Sequence, residues 1–365
     1  MNFRRQIFSF ISVIILLFTN CSINAYGLDI DAKKNSSLYI FCKECPNEYV
    51  EYARNNIEQY FGDIIFDSNE VSIGSPFTFS NDYADIFYFP VIDNGKIAML
   101  LRVFKVDEEL TAVGSKFLCD ELMKYSELTT EENPLYLYMN GNDIIGEISS
   151  NKKILFEYPE EMKFANSEFV SYSSYNDCDK SDCCIVNVFD DKIATIEVGV
   201  SAHESVSNYI SLNLMEYQTK EPWCAAYAAS TIIRTIQADS TCLVRTIMNY
   251  YYSNPSGKSV SNKQIMDFAK KKYSLKVKHT MYSFGNQAIK EIDANRPVWY
   301  CMKSGNTLHT VVLRGYHASN GIFSIWNPWY KYYETFKMGG TYCPSTYTSS
   351  AYNFKYYSAI YNWTR

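Results

Sequence analysis

Residues 218–227 read QTKEPWCAAY, and the apolar pattern that starts there runs on to Ile236 with alanines at 225, 226, 228 and 229. Small and branched apolar residues all round a helical period mark a buried helix, not one lying on a surface. Pro222 and Trp223 precede Cys224, so the cysteine falls in the first turn, where unpaired N–H groups and the positive end of the macrodipole favour a thiolate. Such a helix needs a layer to lie on. Residues 297–302, 307–316 and 322–326 read as strands, with more in a tyrosine-rich tail. Residues 262–272 are amphipathic, 275–280 alternate as a strand, and 287–294 read as a helix. The predicted class for this half is α+β, a helix carrying the cysteine packed on an antiparallel sheet.

A thiol that acts as a nucleophile needs a base within hydrogen-bond reach, a group that orients the base, and a donor for the oxyanion. This half offers one candidate for each. Cys224 is the thiol. His309 sits in the strand at 307–313, and Asn327 ends the strand at 322–326, where its carboxamide oxygen can accept from the imidazole and fix the tautomer. Trp329 stands ready to cover that pair from water. Gln218, six residues before Cys224, can join the backbone N–H of Cys224 in an oxyanion hole. Singly, each has a plain structural meaning: a buried Cys is usually a small hydrophobe, a strand His structural, an Asn before Pro a turn residue. The order Gln, Cys, His, Asn is what raises the catalytic reading. His317 stands eight residues after His309 and follows Gly315-Tyr316, outside the predicted strand; His203 lies in a polar junction and His279 on a Lys-rich strand that reads as surface.

Gln218 with Cys224, Trp223 before the cysteine, and Asn327-Pro328-Trp329 together resemble the papain-like pattern. QTKEPWCAAY at 218–227 and IWNPW at 325–329 are similar to the staphopain group of secreted bacterial cysteine peptidases. The resemblance covers residues 206–365. The separations are compact, 85 residues from Cys224 to His309 and 18 from His309 to Asn327, as in that group and unlike the longer interval of plant and lysosomal papains. One departure is the sequence around His309, NTLHTVVLRGY, which lacks the family's His-Ala step. The resemblance implies Cys224 as nucleophile, His309 as general base and then acid, Asn327 as orienter, Gln218 as oxyanion donor, no cofactor and no metal. It also implies manufacture as a zymogen.

The preceding segment differs in kind. Of the net charge of −6, residues 26–200 carry 14 Lys+Arg against 32 Asp+Glu, a balance of −18, while residues 201–365 carry 18 against 8, a balance of +10. Halves so opposed attract each other. The acidic half reads as a helix at 47–61 and hairpins at 86–92/96–105, 134–139/144–148 and 185–189/193–198, with a helix at 115–125. That pattern is an α+β, hairpin-rich domain over 26–200, and the zymogen that the resemblance implies makes it the expected inhibitory pro-domain of the peptidase domain at 201–365, with a polar junction at 201–207. A surface-binding domain is the plainer alternative.

Residues 1–25 read as a secretory signal, with Arg4 and Arg5 before a 12-residue apolar run at 7–18 and Ala25 at the cut. The run is short of the roughly 20 residues that span a membrane. A hydrophobic content of 47% with 20% charged excludes a disordered chain. The expectation is a secreted monomer, off the membrane once the signal is removed, that acts on protein or peptide substrates and not on nucleic acid. Eleven cysteines in such a chain suggest disulfides, with free thiols as the other reading. Zinc is disfavoured for the clusters at Cys42, Cys45 and at Cys178, Cys183, Cys184, because no histidine lies between 26 and 200. Two other functions fit the residues less well: a cell-wall amidase using the same Cys and His, and a catalytically dead binding module with an aromatic surface.

Overall fold

The computed structural model describes residues 37–79, 86–140, 143–157, 182–190, 193–198, 207–219, 221–317, 321–344 and 353–365. The predicted signal, most of the predicted junction with His203, and Cys21 and Cys178 lie outside them. Among the described residues the fold is mixed α+β, with six α-helices and two sheets.

The acidic half begins with β1 (Tyr39–Lys43) and α1 (Asn47–Asn56), which tightens into a 3-10 turn at Ile57–Tyr60. Then come β2 (Glu70–Ile73), β3 (Phe87–Asp93), β4 (Lys96–Val106) and β5 (Glu109–Ser115). The β3–β4 turn has Asn94 and Gly95 at φ 48° and 74°, the left-handed pair that matches strand twist. Asp107 and Glu108 repeat that geometry at φ 51° and 68° without a glycine, which is why β5 escapes the sequence reading. The helix predicted at 115–125 shrinks to α2 (Cys119–Met123), because Ser115 is still paired in β5 and Leu118 enters left-handed at φ 60°. The meander β6 (Leu135–Asn140), β7 (Asp143–Ile148) and β8 (Asn151–Glu157) follows, then β9 (Cys183–Asn187) and β10 (Ala194–Glu197).

The hairpin predicted at 185–189/193–198 does not form. β9 pairs with β1 and β10 with β2, in different sheets. The chain crosses between them, with Val188 N–H donating to Leu38 O at 2.9 Å and Ile193 N–H to Ile73 O at 2.8 Å.

The C-terminal half holds β11 (Ser207–Tyr209), α3 (Cys224–Gln237), α4 (Val244–Tyr251), α5 (Asn262–Tyr273), β12 (Lys276–Thr280), α6 (Gly285–Asp293), β13 (Val298–Ser304), β14 (Thr307–His317), β15 (Ile322–Trp326), β16 (Tyr333–Lys337) and β17 (Lys355–Thr364). The first sheet runs β8-β7-β6-β1-β9. The second runs β10-β2-β3-β4-β5-β16-β15-β14-β13-β17-β12, with β11 on β14. His317 is therefore the last residue of β14, in register with Ser207 and Ile322, not beyond the strand.

The second sheet passes from the acidic half to the basic half without a break. β5 and β16 are antiparallel, with Ser115 opposite Glu334, Gly114 opposite Thr335 and Val113 opposite Phe336. Thr335 Oγ1 donates to Tyr60 O at 2.8 Å. Gly114 is required for this closeness, since a Cβ there would stand 2.6 Å from Thr335 Oγ1 and 2.9 Å from Tyr60 O. The buried Arg314 guanidinium reaches Asp63 with two bonds, 2.9 and 2.6 Å, a forked pair that is strong because it is charged and partly dry. Lys355 and Asp107, 3.6 Å apart and mostly exposed, add little. The halves also share apolar core, with Leu100, Phe104 and Val113 in one cluster with Trp326, Phe336 and Tyr342.

No helix among the described residues is long and apolar enough to cross a membrane, and none of the nine described cysteines is in a disulfide. Cys42 stands directly opposite Cys184 across the β1–β9 ladder.

Candidate active site

α3 starts at Cys224 and lies on β13 and β14, burying Ala226, Ala228, Ala229, Ile232 and Ile233 completely. The run of alanines lets the helix approach the sheet closely. Trp299, on β13, donates its indole N–H to Ala225 O at 3.0 Å and pins the first turn down. Trp223 is buried just ahead of the turn, its indole donating to Pro255 O at 3.3 Å.

Cys224, Gln218 and His309 line one cleft of about 450 Å³ together with Trp299, Cys301 and Trp329. Every lining residue belongs to the C-terminal half, between Gln218 and Ser358. His317 is not among them, so of the two β14 histidines only His309 shares the cleft with the thiol. His279 is bonded elsewhere, its Nε2 2.8 Å from Asn262 Nδ2.

His309 Nε2 is 3.0 Å from Asn327 Oδ1. An amide oxygen can only accept, so Nε2 carries the proton and the lone pair falls on Nδ1. The orientation of Asn327 is fixed from three sides. Its Oδ1 also accepts from the Trp329 N–H at 3.2 Å, and its Nδ2 donates to the Tyr342 hydroxyl at 2.9 Å. Tyr342 in turn donates to Glu334 Oε2. Asn327, Glu334 and Tyr342 are all fully buried. The Tyr342 phenol is held well above its ordinary range, first by burial and then by the Glu334 charge, so it remains a donor.

Trp329 stacks on His309 with ring centroids 3.8 Å apart and planes 13° apart. Burial lowers the His309 pKa from 6.5 to about 4, and the Asn327 bond opposes the shift only in part. The imidazole is thus neutral at ordinary pH and able to take a proton. Cys301, the second thiol of the cleft, is pushed up to about 12, chiefly by burial, and stays protonated.

Gln218 is buried on the wall of the same cleft. Its backbone N–H donates to Pro328 O at 2.8 Å, tying it to the Asn327-Pro328-Trp329 turn. Its Nε2 donates to Glu221 O at 2.7 Å, which leaves a second N–H on the same nitrogen. Glu221 is itself held, accepting from the Gly257 N–H at 2.7 Å and the Ser256 hydroxyl at 2.9 Å.

The four sequence-predicted residues therefore converge, three on the cleft wall and Asn327 behind His309. Tyr342, Glu334 and Trp299 were not singled out from sequence. Trp299 lies far along the chain from Ala225, and Tyr342 and Glu334, though nearer to the groups they support, sit at no spacing that marks them. Among the described residues no group of three or more His, Cys, Asp or Glu side chains is placed to hold a metal ion.

No curated protein matches the chain. Residues 209–350, which include Gln218, Cys224, His309, Asn327 and Tyr342, match the model of the Peptidase_C39-like family, and that match supports a cysteine peptidase.

Proposed function

We propose that the chain is a secreted cysteine endopeptidase of papain-like arrangement, similar to the staphopain group and made as a zymogen. The observation that carries the reading is the buried His309–Asn327 pair under Trp329, set in the same cleft as a cysteine at a helix N-terminus. In the reaction Cys224 gives its proton to His309 Nδ1 and its sulfur attacks the scissile carbonyl. The oxyanion is met by the Cys224 backbone N–H and by the second N–H of Gln218 Nε2. His309 returns the proton to the departing amine, and water then hydrolyses the thioester with His309 as base. Asn327 holds the imidazole in the one tautomer that serves both steps.

The acidic half, 26–200, is the intramolecular pro-domain of this reading. The opposed charges of −18 and +10 and the Arg314–Asp63 pair support its docking. A cut between about Val198 and Asn208 is the activating step. Clearing of denatured protein by the cut chain, with none by the uncut chain or by cut Cys224→Ala, is the expected result. Clearing of purified cell wall in place of protein would move the assignment to an amidase on the same site.

A further inference from the structure

The route from the acidic half to the catalytic pair can be followed atom by atom. Arg102, on β4, is 1% exposed. Its Nη1 donates to the carbonyls of Cys343, at 3.3 Å, and Pro344, and its Nη2 lies 2.9 Å from Cys343 Sγ. A guanidinium stays charged even when buried, so the 343–344 carbonyls are held to it by charge-assisted bonds. Tyr342, the preceding residue, is bonded on both backbone groups to Phe354, at 2.8 and 2.9 Å. Its hydroxyl is the acceptor for Asn327 Nδ2. A second route reaches the same hydroxyl. β5 pairs Ser115 with Glu334, and the Glu334 carboxylate accepts the hydrogen bond that the Tyr342 hydroxyl donates. One anchor of the phenol that orients Asn327 thus comes from β4 of the acidic half, and the other, Glu334, sits on a strand held between β15 and the acidic half's β5.

We propose that Arg102 is a positioning residue for the His309–Asn327 pair, and that the acidic half remains docked as part of the working enzyme after the activating cut. The proposal rests on the peptidase reading of Cys224 and His309. Arg102 touches no substrate. It fixes the 342–344 segment, Tyr342 fixes the Asn327 amide, and the amide fixes the imidazole. If the segment moves, Asn327 Oδ1 loses its aim at Nε2 and the tautomer is no longer enforced.

The test compares cut full-length enzyme with Arg102→Lys, Tyr342→Phe and the double variant, each normalised to active sites counted by a peptide epoxide at Cys224. Each single variant is expected to lower kcat about 10- to 100-fold, the scale of a small misplacement remote from the chemistry. KM should change little, and the acid limb of the kcat/KM profile should move. The double variant should be no worse than the poorer single, because the residues act through one path. Unchanged kcat per labelled site with an unchanged pH profile in Arg102→Lys would overturn the proposal, as would losses that multiply in the double variant. Should Arg102→Lys fail to fold, the wild-type chain cut at an inserted site within 199–206 decides. The halves should co-elute and lose activity on separation, and an active isolated C-terminal half would overturn the proposal. Absent wild-type activity strikes the peptidase reading instead, so the two failures are distinct.

Discussion

Trp329 lies flat on His309, ring centroids 3.8 Å apart, and the same residue's backbone N–H bonds the Asn327 oxygen that His309 uses. One residue therefore both roofs the imidazole and helps to aim its partner. An aromatic contact of this kind contributes about 0.5–1.5 kcal/mol beyond its burial. Trp329→Ala should lower kcat/KM by about 3- to 10-fold from this loss alone, more than Trp329→Phe, which keeps a ring over the histidine. Equal activity in the two variants would show that the roof contributes nothing.

Gln218 is expected to act in the transition state. Gln218→Ala should lower kcat by about 10² to 10³, the usual effect of one lost oxyanion donor, with KM little changed. The measurement is steady-state kinetics on a peptide substrate. A main effect on KM would make Gln218 a binding residue.

His309 ties the site to acid stability. Its pKa falls from 6.5 to about 4 through burial, so below 6.5 the unfolded chain binds a proton that the folded chain refuses. Stability from this group is full above about 6.5 and is lost as pH falls toward 4, by an amount on the order of 3 kcal/mol. Urea unfolding of Cys224→Ala, which cannot digest itself, should show this slope between those pH values. Cys224→Ala/His309→Gln should lack that share of it. A slope of opposite sign would mean that folding raises the histidine pKa.

The joint between the halves offers a stability test apart from the chemistry. A Cβ at Gly114 would meet Thr335 Oγ1 at 2.6 Å and Tyr60 O at 2.9 Å. The second of these is backbone and cannot turn aside. Gly114→Val should destabilise by about 1–3 kcal/mol, the scale of overpacking, and Gly114→Ala by less. Thermal unfolding that is unchanged in Gly114→Val would argue that β5 and β16 are not held together as described.

Much of the site was legible because its signals are local. Cys224 has its helix start six residues after Gln218, and Asn327-Pro328-Trp329 is a contiguous turn at the end of β15. The alanine-rich α3 and the Asn94-Gly95 turn likewise declare themselves by composition. What escaped is what only the fold brings together. The support of Asn327 by Tyr342 and Glu334 has no spacing to betray it, and Arg102 looks in sequence like any strand cation. Turns at Asp107-Glu108 and Ser149-Ser150 adopt left-handed φ without glycine, so β5 and β8 were missed. β9 and β10 have the pattern of a hairpin, yet each finds its better partner in a different sheet. Pattern fixes the strand but not its neighbour.

The central claim is that Cys224 is a nucleophile activated by His309, and covalent labelling by a thiol-directed peptide epoxide tests it most directly. Intact mass and peptide mapping of the cut enzyme should show one equivalent bound, at Cys224, although Cys301 shares the cleft. Labelling should stop on denaturation and slow sharply in His309→Ala. Label at other thiols in preference to Cys224, or an undiminished rate in His309→Ala, would contradict it.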